Sequence, residues 1–333
     1  MFMTPRLFTQ RLAALASLLS LAACGSCNCN VPGFSAVANA VPTTVPTTLP
    51  TTFPTTGPGG VPTTAPTTFP TTVPTALPTT VPVIACSQGA GALTLGAALA
   101  PFALLAGSTI TNTGLTNVTY AAGATTGSFN DDLIGVSPGT AVVGFYPPGT
   151  DTDGPAAIYA TGAGYSNQPA VTLAAQSALT TAYNNFAGVA PTVTFPGGQD
   201  LSQANVPAHP TGTLPAGVYA SASSMGILAG NLTLDGGGNP QSVFIFQAGS
   251  TLTTTLNGAN SGNVILINGA SPCNIYWQVG SSAVLGAQTF YGNVLALSSI
   301  TLTSATQFTG RALARNGAVT ISTASLITNP GGK

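Results

Sequence analysis

Side chains able to make or break bonds are scarce in this chain. Of its 333 residues 3% are charged, the formal net charge is −1, and there is no Glu, a single Lys (Lys333) and a single His (His209). His209 precedes Pro210 in a Pro-rich stretch without an evident acidic partner, so a nucleophile–His–acid relay has nothing to orient it. Asp151-Thr152-Asp153-Gly154 resembles a piece of a calcium loop but lacks the later ligands and the closing Glu, and reads as a turn. Asp131-Asp132 with Arg311 or Arg315 is the one acid–base set a polysaccharide lyase could use, and nothing in the sequence joins them. Both arginines are expected on backbone carbonyls at turns. The chain therefore reads as a non-enzyme with no cofactor and no metal. What remains is hydroxyl chemistry. Six segments align: Thr109-Ile110-Thr111, Asn231-Leu232-Thr233, Thr251-Leu252-Thr253, Ala283-Val284-Leu285, Ser299-Ile300-Thr301 and Ala318-Val319-Thr320. The middle residue is always Ile, Leu or Val, and its neighbours are mostly Thr, Ser, Asn or Ala.

Such segments need a scaffold that holds them in register. Gly292-Asn293-Val294-Leu295-Ala296 returns eighteen residues later as Gly310-Arg311-Ala312-Leu313-Ala314, and Ser299-Ile300-Thr301-Leu302 returns nineteen later as Ala318-Val319-Thr320-Ile321. Ile300 and Leu302 point one way and Ser299, Thr301 and Thr303 the other, the period-2 pattern of a strand with one buried face. A repeat of this length, punctuated by Gly, Ser and Asn, implies a mainly β fold in which each coil buries its apolar row on the next, a β-solenoid. Phe244-Ile245-Phe246-Gln247 and Ile275-Tyr276-Trp277-Gln278 repeat at a spacing of 31, leaving room for an added strand at Val264 to Ile267. One helix is expected near Thr172 to Ala187, with a stripe of Leu173, Leu179, Ala182, Tyr183 and Phe186 laid on the solenoid flank and a stop at Gly188.

Outside that domain the chain changes character. Residues 1–23 read as a signal peptide: Arg6 and Arg11 precede the apolar run Leu12 to Leu21, and Leu21-Ala22-Ala23-Cys24 resembles a bacterial lipobox, which makes Cys24 the expected lipid anchor. Residues 24–85 read as a leader and stalk, in which Val-Pro-Thr-Thr and its variants recur from Val41 to Pro82. Proline at every fourth place forbids helix and sheet, leaving a disordered, extended polyproline-type segment of up to ~130 Å at ~3.1 Å per residue. Residues 86–333 form the folded domain. Cys27, Cys29, Cys86 and Cys273 allow three connectivities, of which Cys86 with Cys273 clips the start of the domain to a solenoid strand; the alternative is a free, buried Cys273. No apolar run reaches the ~18 residues of a membrane span, and the lack of a basic cluster argues against nucleic acid and anionic membrane surfaces as partners. Contact with a membrane is expected only through Cys24.

Phe102-Ala103-Leu104-Leu105-Ala106-Gly107-Ser108-Thr109-Ile110-Thr111, Gly135-Val136-Ser137-Pro138-Gly139, Phe244-Ile245-Phe246-Gln247, Trp277-Gln278-Val279-Gly280 and Gly310-Arg311-Ala312-Leu313-Ala314 occur in the order seen in the ice-binding domain family, which this chain resembles from about Leu93 to Pro330. The resemblance implies a discontinuous right-handed β-solenoid with one long α-helix alongside, and ice as the partner. That family's face is described by Thr-Ala/Gly-x-Thr/Asn tetrapeptides whose second and fourth residues point out. Here Ser108-Thr109-Ile110-Thr111, Ser250-Thr251-Leu252-Thr253, Ser298-Ser299-Ile300-Thr301 and Gly317-Ala318-Val319-Thr320 are similar, while Ser282-Ala283-Val284-Leu285 departs, with Leu285 where Thr is wanted. The expected face is thus Thr109, Thr111, Thr233, Thr251, Thr253, Ser299, Thr301, Ala318 and Thr320. Stiff β-branched threonines on a grid of ~6.6 by ~4.8 Å could hold water in a near-lattice layer that an ice crystal joins. A surface adhesin or structural module binding glycans or neighbouring cells is the alternative.

Overall fold

The eighteen-residue repeat becomes one coil of a solenoid. Thr289–Ala296 pairs in parallel with Gln307–Ala314 along its full length, Phe290 against Phe308 and Gly292 against Gly310. Ile300–Leu302 pairs likewise with Val319–Ile321. The spacing of 31 is also a coil, with Phe244 against Ile275 and Phe246 against Trp277, and the extra strand Val264–Ile267 joins a separate sheet. The computed structural model describes residues 93–121, 132–162, 164–255, 262–304 and 306–331. The signal-like segment, the stalk, Asp131 and every cysteine except Cys273 lie outside them.

Among the described residues the strands form three sheets, and every pair between named strands is parallel. The large sheet runs Thr150–Asp151, Asn117–Tyr120, Leu326–Asn329, Gln307–Ala314, Thr289–Ala296, Ile275–Val279, Phe244–Ala248, Gly217–Ser221 and Val193–Phe195, with Phe102–Ala106 branching from Gln307–Ala314 towards Leu133–Val136 and Ile158–Tyr159. The second sheet runs Ala141–Val143, Thr109–Asn112, Val319–Ile321, Ile300–Leu302, Ala283–Leu285, Leu252–Thr254, Met225–Ile227 and Gln199–Asp200. Thr213–Pro215, Leu232–Asp235 and Val264–Ile267 form the third.

Stacking order departs from chain order. The first coil in sequence lies on the last: Leu104 faces Ala312, Ile110 faces Val319 and Val118 faces Ile327. The solenoid is therefore discontinuous, as expected. Its interior is largely apolar, with a few buried polar residues such as Asn112 and Thr254 at strand ends. Phe195, Tyr219, Phe246, Trp277, Phe290 and Phe308 make an aromatic ladder with successive ring centroids between 4.0 and 6.1 Å apart. Close stacking needs glycine at one point in particular, because a Cβ on Gly310 would stand 1.9 Å from the carbonyl oxygen of Gly292.

The helix, α1 (Pro169–Ala187), opens on a proline and is followed by Gly188. Thr172, Ala175, Gln176, Leu179, Ala182, Tyr183 and Phe186 are its buried residues, and they pack with Leu105, Ile245, Tyr276, Leu295 and Leu313 of the large sheet. Leu173 does not belong to this stripe: at 62% exposed it faces solvent, because the buried face is centred on Ala175, Leu179, Ala182 and Phe186, and residue 173 falls outside that arc at 100° per residue. Phe186 stacks on Tyr276 at 4.3 Å, and Gln247 Nε2 donates to the carbonyls of Phe186 and Val189 at 2.7 and 2.8 Å, so the C-terminal end of α1 is tied down by a sheet side chain. Strands under α1, such as Phe244–Ala248 and Ile275–Val279, are buried on both faces and so lack the alternation of half-exposed strands.

Candidate functional site

Parallel register turns the outward residues of the second sheet into straight rows. In one row Val143, Thr111, Thr320, Thr301, Val284, Thr253 and Gly226 follow each other coil by coil. The backbone bonds from Ile300 N to Ala318 O (2.9 Å), Ala283 N to Ser299 O (2.9 Å) and Leu252 N to Ser282 O (3.2 Å) line up a second row of Thr109, Ala318, Ser299, Ser282 and Thr251. Thr113, Ser322, Thr303 and Thr255 extend a third at the strand ends. The residues between them, Ile110, Val319, Ile300, Leu302, Leu252 and Leu285, are buried. Eight of the nine expected residues are thus brought together. Sequence alignment of tetrapeptides missed Ser282 and Val284, and the third row beyond Thr303. Period-2 counting from Ile110, Leu252 and Ile321 would have found Thr113, Thr255 and Ser322, whereas the pairing of Val284 with Thr301 is what places Val284 and Ser282.

Two expectations are corrected. Thr233 lies on the third sheet, between Thr213 and Ile265, and has no place in these rows. Asn231-Leu232-Thr233 has the right local pattern, but local pattern is blind to which sheet a strand joins. Leu285 is fully buried, while Val284 is 38% exposed and pairs with Thr301. A one-residue slip in alignment had exchanged the two faces of that strand. The row is interrupted by a valine's methyls, isosteric with threonine but lacking its hydroxyl.

Hydroxyls in the middle of the face are unengaged. The side chains of Thr111, Thr320, Thr301 and Thr253 hydrogen-bond no described residue, whereas at the margin Thr113 Oγ1 donates to Ser322 O at 2.9 Å and Ser299 Oγ accepts from Ala318 N at 3.1 Å. Carbonyls and amides between strands are consumed by the ladder, so water meets hydroxyls and methyls only. No outward residue of Thr109–Asn112, Val319–Ile321 or Ile300–Leu302 is charged. The face ends at Asp200, whose carboxylate is turned to structural use: it accepts from Ser202 N and Oγ and from the amides of Leu228 and Ala229, at 2.7–3.1 Å.

The other chemical candidates are found in turns and packing contacts. His209 sits in a turn, its amide bonded to Val206 O at 3.1 Å. Arg311 behaves as expected, with Nε and Nη2 donating to Ala100 O at 3.0 and 2.8 Å and Nη1 to Asn293 Oδ1 at 2.9 Å. Arg315 departs from expectation: Nε bonds a side chain, Thr180 Oγ1 of α1, at 3.0 Å, and the guanidinium lies 5.7 Å from the Tyr183 ring centroid. Cys273 is buried and disulfide-bonded, and its partner lies outside the described residues.

Asp151 and Asp153 form the expected turn, Asp151 Oδ1 accepting from Asp153 N at 2.9 Å. Burial, reinforced by the charge of Asp132, pushes the Asp151 carboxyl from its ordinary 3.8 up to about 8. The sign follows directly. Below pH ~4 folded and unfolded chains both carry the proton; between ~4 and ~8 only the folded chain keeps it, so stability falls as pH rises through that window and levels off above it. Asp151→Asn, which can still accept the Asp153 amide, is expected to melt higher than the wild type at pH 7.5 and equally at pH 4. Melting curves at the two pH values check this, and an equal difference at both would remove ionisation as the cause.

The sequence profile of the Ice-binding-like family matches residues 104–327. An ice-binding protein of Nostoc sp. (strain HG1) is 40% identical over 226 residues, 67% of this chain and 69% of that one. Among solved structures, an ice-binding protein from an Antarctic biological consortium superposes with a TM-score of 0.54 at 36% identity, covering 74% of this chain and 96% of that chain. The domain of ice-binding protein 1 from Shewanella frigidimarina gives 0.55 at 29% identity, covering 73% and 98%.

Proposed function

The chain belongs to the ice-binding-like family, and from that premise we propose that it binds ice by adsorption of the threonine face of its second sheet, without chemical turnover. The carrying observation is the contiguous run Thr111–Thr320–Thr301, three threonines on three adjacent coils with no hydroxyl committed to the protein. Coils repeat at ~4.8 Å and outward residues along a strand at ~6.6 Å. Each threonine is held stiff at χ1, so the array is ordered before anything binds and little entropy is lost when a water layer joins it. Methyls limit where that water can sit, and hydroxyls anchor it. A charged side chain would hold its own hydration shell in a geometry unrelated to ice, and the outward rows of the second sheet on the strands of Thr111, Thr320 and Thr301 carry none. Ice recrystallisation in a sucrose film tests the reading: micromolar purified protein is expected to keep crystals small, and coarsening at the buffer rate would reject it.

Residues 1–23 act, in this reading, as a lipoprotein signal, 24–85 as an anchored leader and stalk, and 86–333 as the ice-binding domain, exported and tethered to the cell envelope through Cys24. Its support is the lipobox-like Leu21-Ala22-Ala23-Cys24 and the Val-Pro-Thr-Thr repeats. Cys86 is the partner of Cys273 because it alone among the remaining cysteines adjoins the folded domain. One measurement, mass spectrometry of unreduced protein from its native host, reads both claims. A mature N-terminus at lipid-bearing Cys24 and a linked Cys86–Cys273 peptide are expected; an unmodified Cys24, or Cys273 linked to Cys27 or Cys29, would remove the corresponding claim.

A further inference from the structure

We propose that the helix-free end of the large sheet is a second ice-binding face, built on Thr119, Thr328 and Thr309; the inference rests on the ice-binding reading above. These three threonines are Cα partners on adjacent coils, with Tyr291 next to Thr309 in the same row. Thr152, whose amide donates to Val118 O at 2.9 Å, continues the row beyond Thr119. The alternate positions Val118, Ile327, Phe308 and Phe290 are fully buried in the interior, so the threonines point out. The Thr309 and Thr328 hydroxyls bond no described residue.

A relation between the two faces argues against a chance row of surface threonines. Thr111 is followed eight residues later by Thr119, Thr320 by Thr328 and Thr301 by Thr309. The three coils that carry the unbroken run on the first face are the same three that carry it on the second, in the same order. In the coil that carries Val284 on the first face, the register position on the second is Tyr291, so the threonine run is broken at the same coil on both faces. In the coil that carries Val143 it is Thr152, which extends the second row one coil further. The two rows are joined within each coil by one short turn, which in the coil of Thr301 carries Thr303, Ser304 and Thr306.

Chemistry on the second face matches the first. Outward neighbours along the strands are Gln307, Leu326, Asn117 and Thr150, with no charge among them. Helix α1 covers the other end of Thr289–Ala296 and Gln307–Ala314, at Leu295 and Leu313, and leaves this end open. The face is smaller than the first and bordered by Tyr291, so it should be the weaker. Two hydroxyl rows on different sides of one solenoid let a single molecule meet ice in two orientations.

Partition of the purified protein into a slowly grown ice ball reads the claim. Three variants are needed: Thr301→Tyr/Thr320→Tyr, Thr309→Tyr/Thr328→Tyr, and the four substitutions combined, each checked for fold by circular dichroism. The first double variant is expected to retain on the order of a tenth of wild-type incorporation, a loss of about 1.4 kcal/mol in adsorption, and the fourfold variant to fall to the level of an unrelated control protein. If the first double variant already lies at control level, or the fourfold variant incorporates as much as it does, the second face does not exist. Wild-type protein at control level would instead reject the ice-binding reading itself. Should tyrosine disturb the coil, Thr309→Gln/Thr328→Gln removes the methyls with little added bulk and carries the same expectation.

Discussion

Thr301→Tyr/Thr320→Tyr is expected to raise the concentration needed to inhibit ice recrystallisation at least about tenfold, equivalent to 1.4 kcal/mol or more of adsorption free energy, with an unchanged circular dichroism spectrum. Both side chains lie in the central row, are Cα partners on adjacent coils, and touch solvent on one side only. Their replacement leaves Ile300, Leu302, Val319 and Ile321 untouched in the interior, so the fold has no reason to respond. A tyrosine ring stands several ångströms above the plane of threonine methyls. It props the whole face away from a flat crystal, and the loss should therefore exceed that of two hydroxyls. Threonine to valine at the same places is the informative contrast, because Val284 already occupies this row. A tyrosine variant as active as wild type would mean that the second sheet is not the principal contact with ice.

Trp277→Ala is expected to cost about 3–5 kcal/mol of stability and, for a domain of this size, to lower the melting temperature by about 6–20 °C. Trp277 is 1% exposed, lies 4.0 Å from the Phe246 ring centroid and 5.2 Å from that of Phe290, and donates Nε1–H to Tyr291 O at 3.0 Å. Removing it opens a void in the middle of the aromatic ladder and leaves a carbonyl without its donor. Trp277→Phe keeps most of the stacking and should recover more than half of the loss. Thermal melts of the three proteins decide it; a shift of only a degree or two for alanine would show that neighbouring coils close over the gap.

Much of this architecture is legible in the residues themselves. The Gly292/Gly310 repeat states the coil length, and the alternation Ser299-Ile300-Thr301-Leu302-Thr303 states which side is out, because one buried face imposes period 2. The limits are equally physical. Membership of a sheet is decided by what lies next to a strand in space, so Thr233 looked like the others and belongs elsewhere. Ala283-Val284-Leu285 offers three apolar residues, and only its neighbours in register determine that Val284 is outermost. Leu173 fitted a helical stripe, yet the large sheet covers an arc centred on Leu179 that stops short of it. The second threonine row was hidden in part because one of its strands also passes under α1: Gln307–Ala314 alternates over its first half and is buried on both faces over its second, which blurs any single period.

The placement of the first coil against the last bears on how the chain acquires its fold. Leu104 and Ala312, Ile110 and Val319, and Val118 and Ile327 are paired across more than two hundred residues. A ribosome delivers Phe102–Ala106 and Thr109–Asn112 long before the strands that will flank them on one side. Coils from Val193 to Ala296 can zip up one on the next as they appear, but those two early strands must wait for the final stretch. Such long-range closure makes folding slow relative to a continuous array. It also sets the C-terminal coil between two others, so the two ends of the stack are formed by mid-chain strands and the last strands to be made are not the ones from which the array can peel.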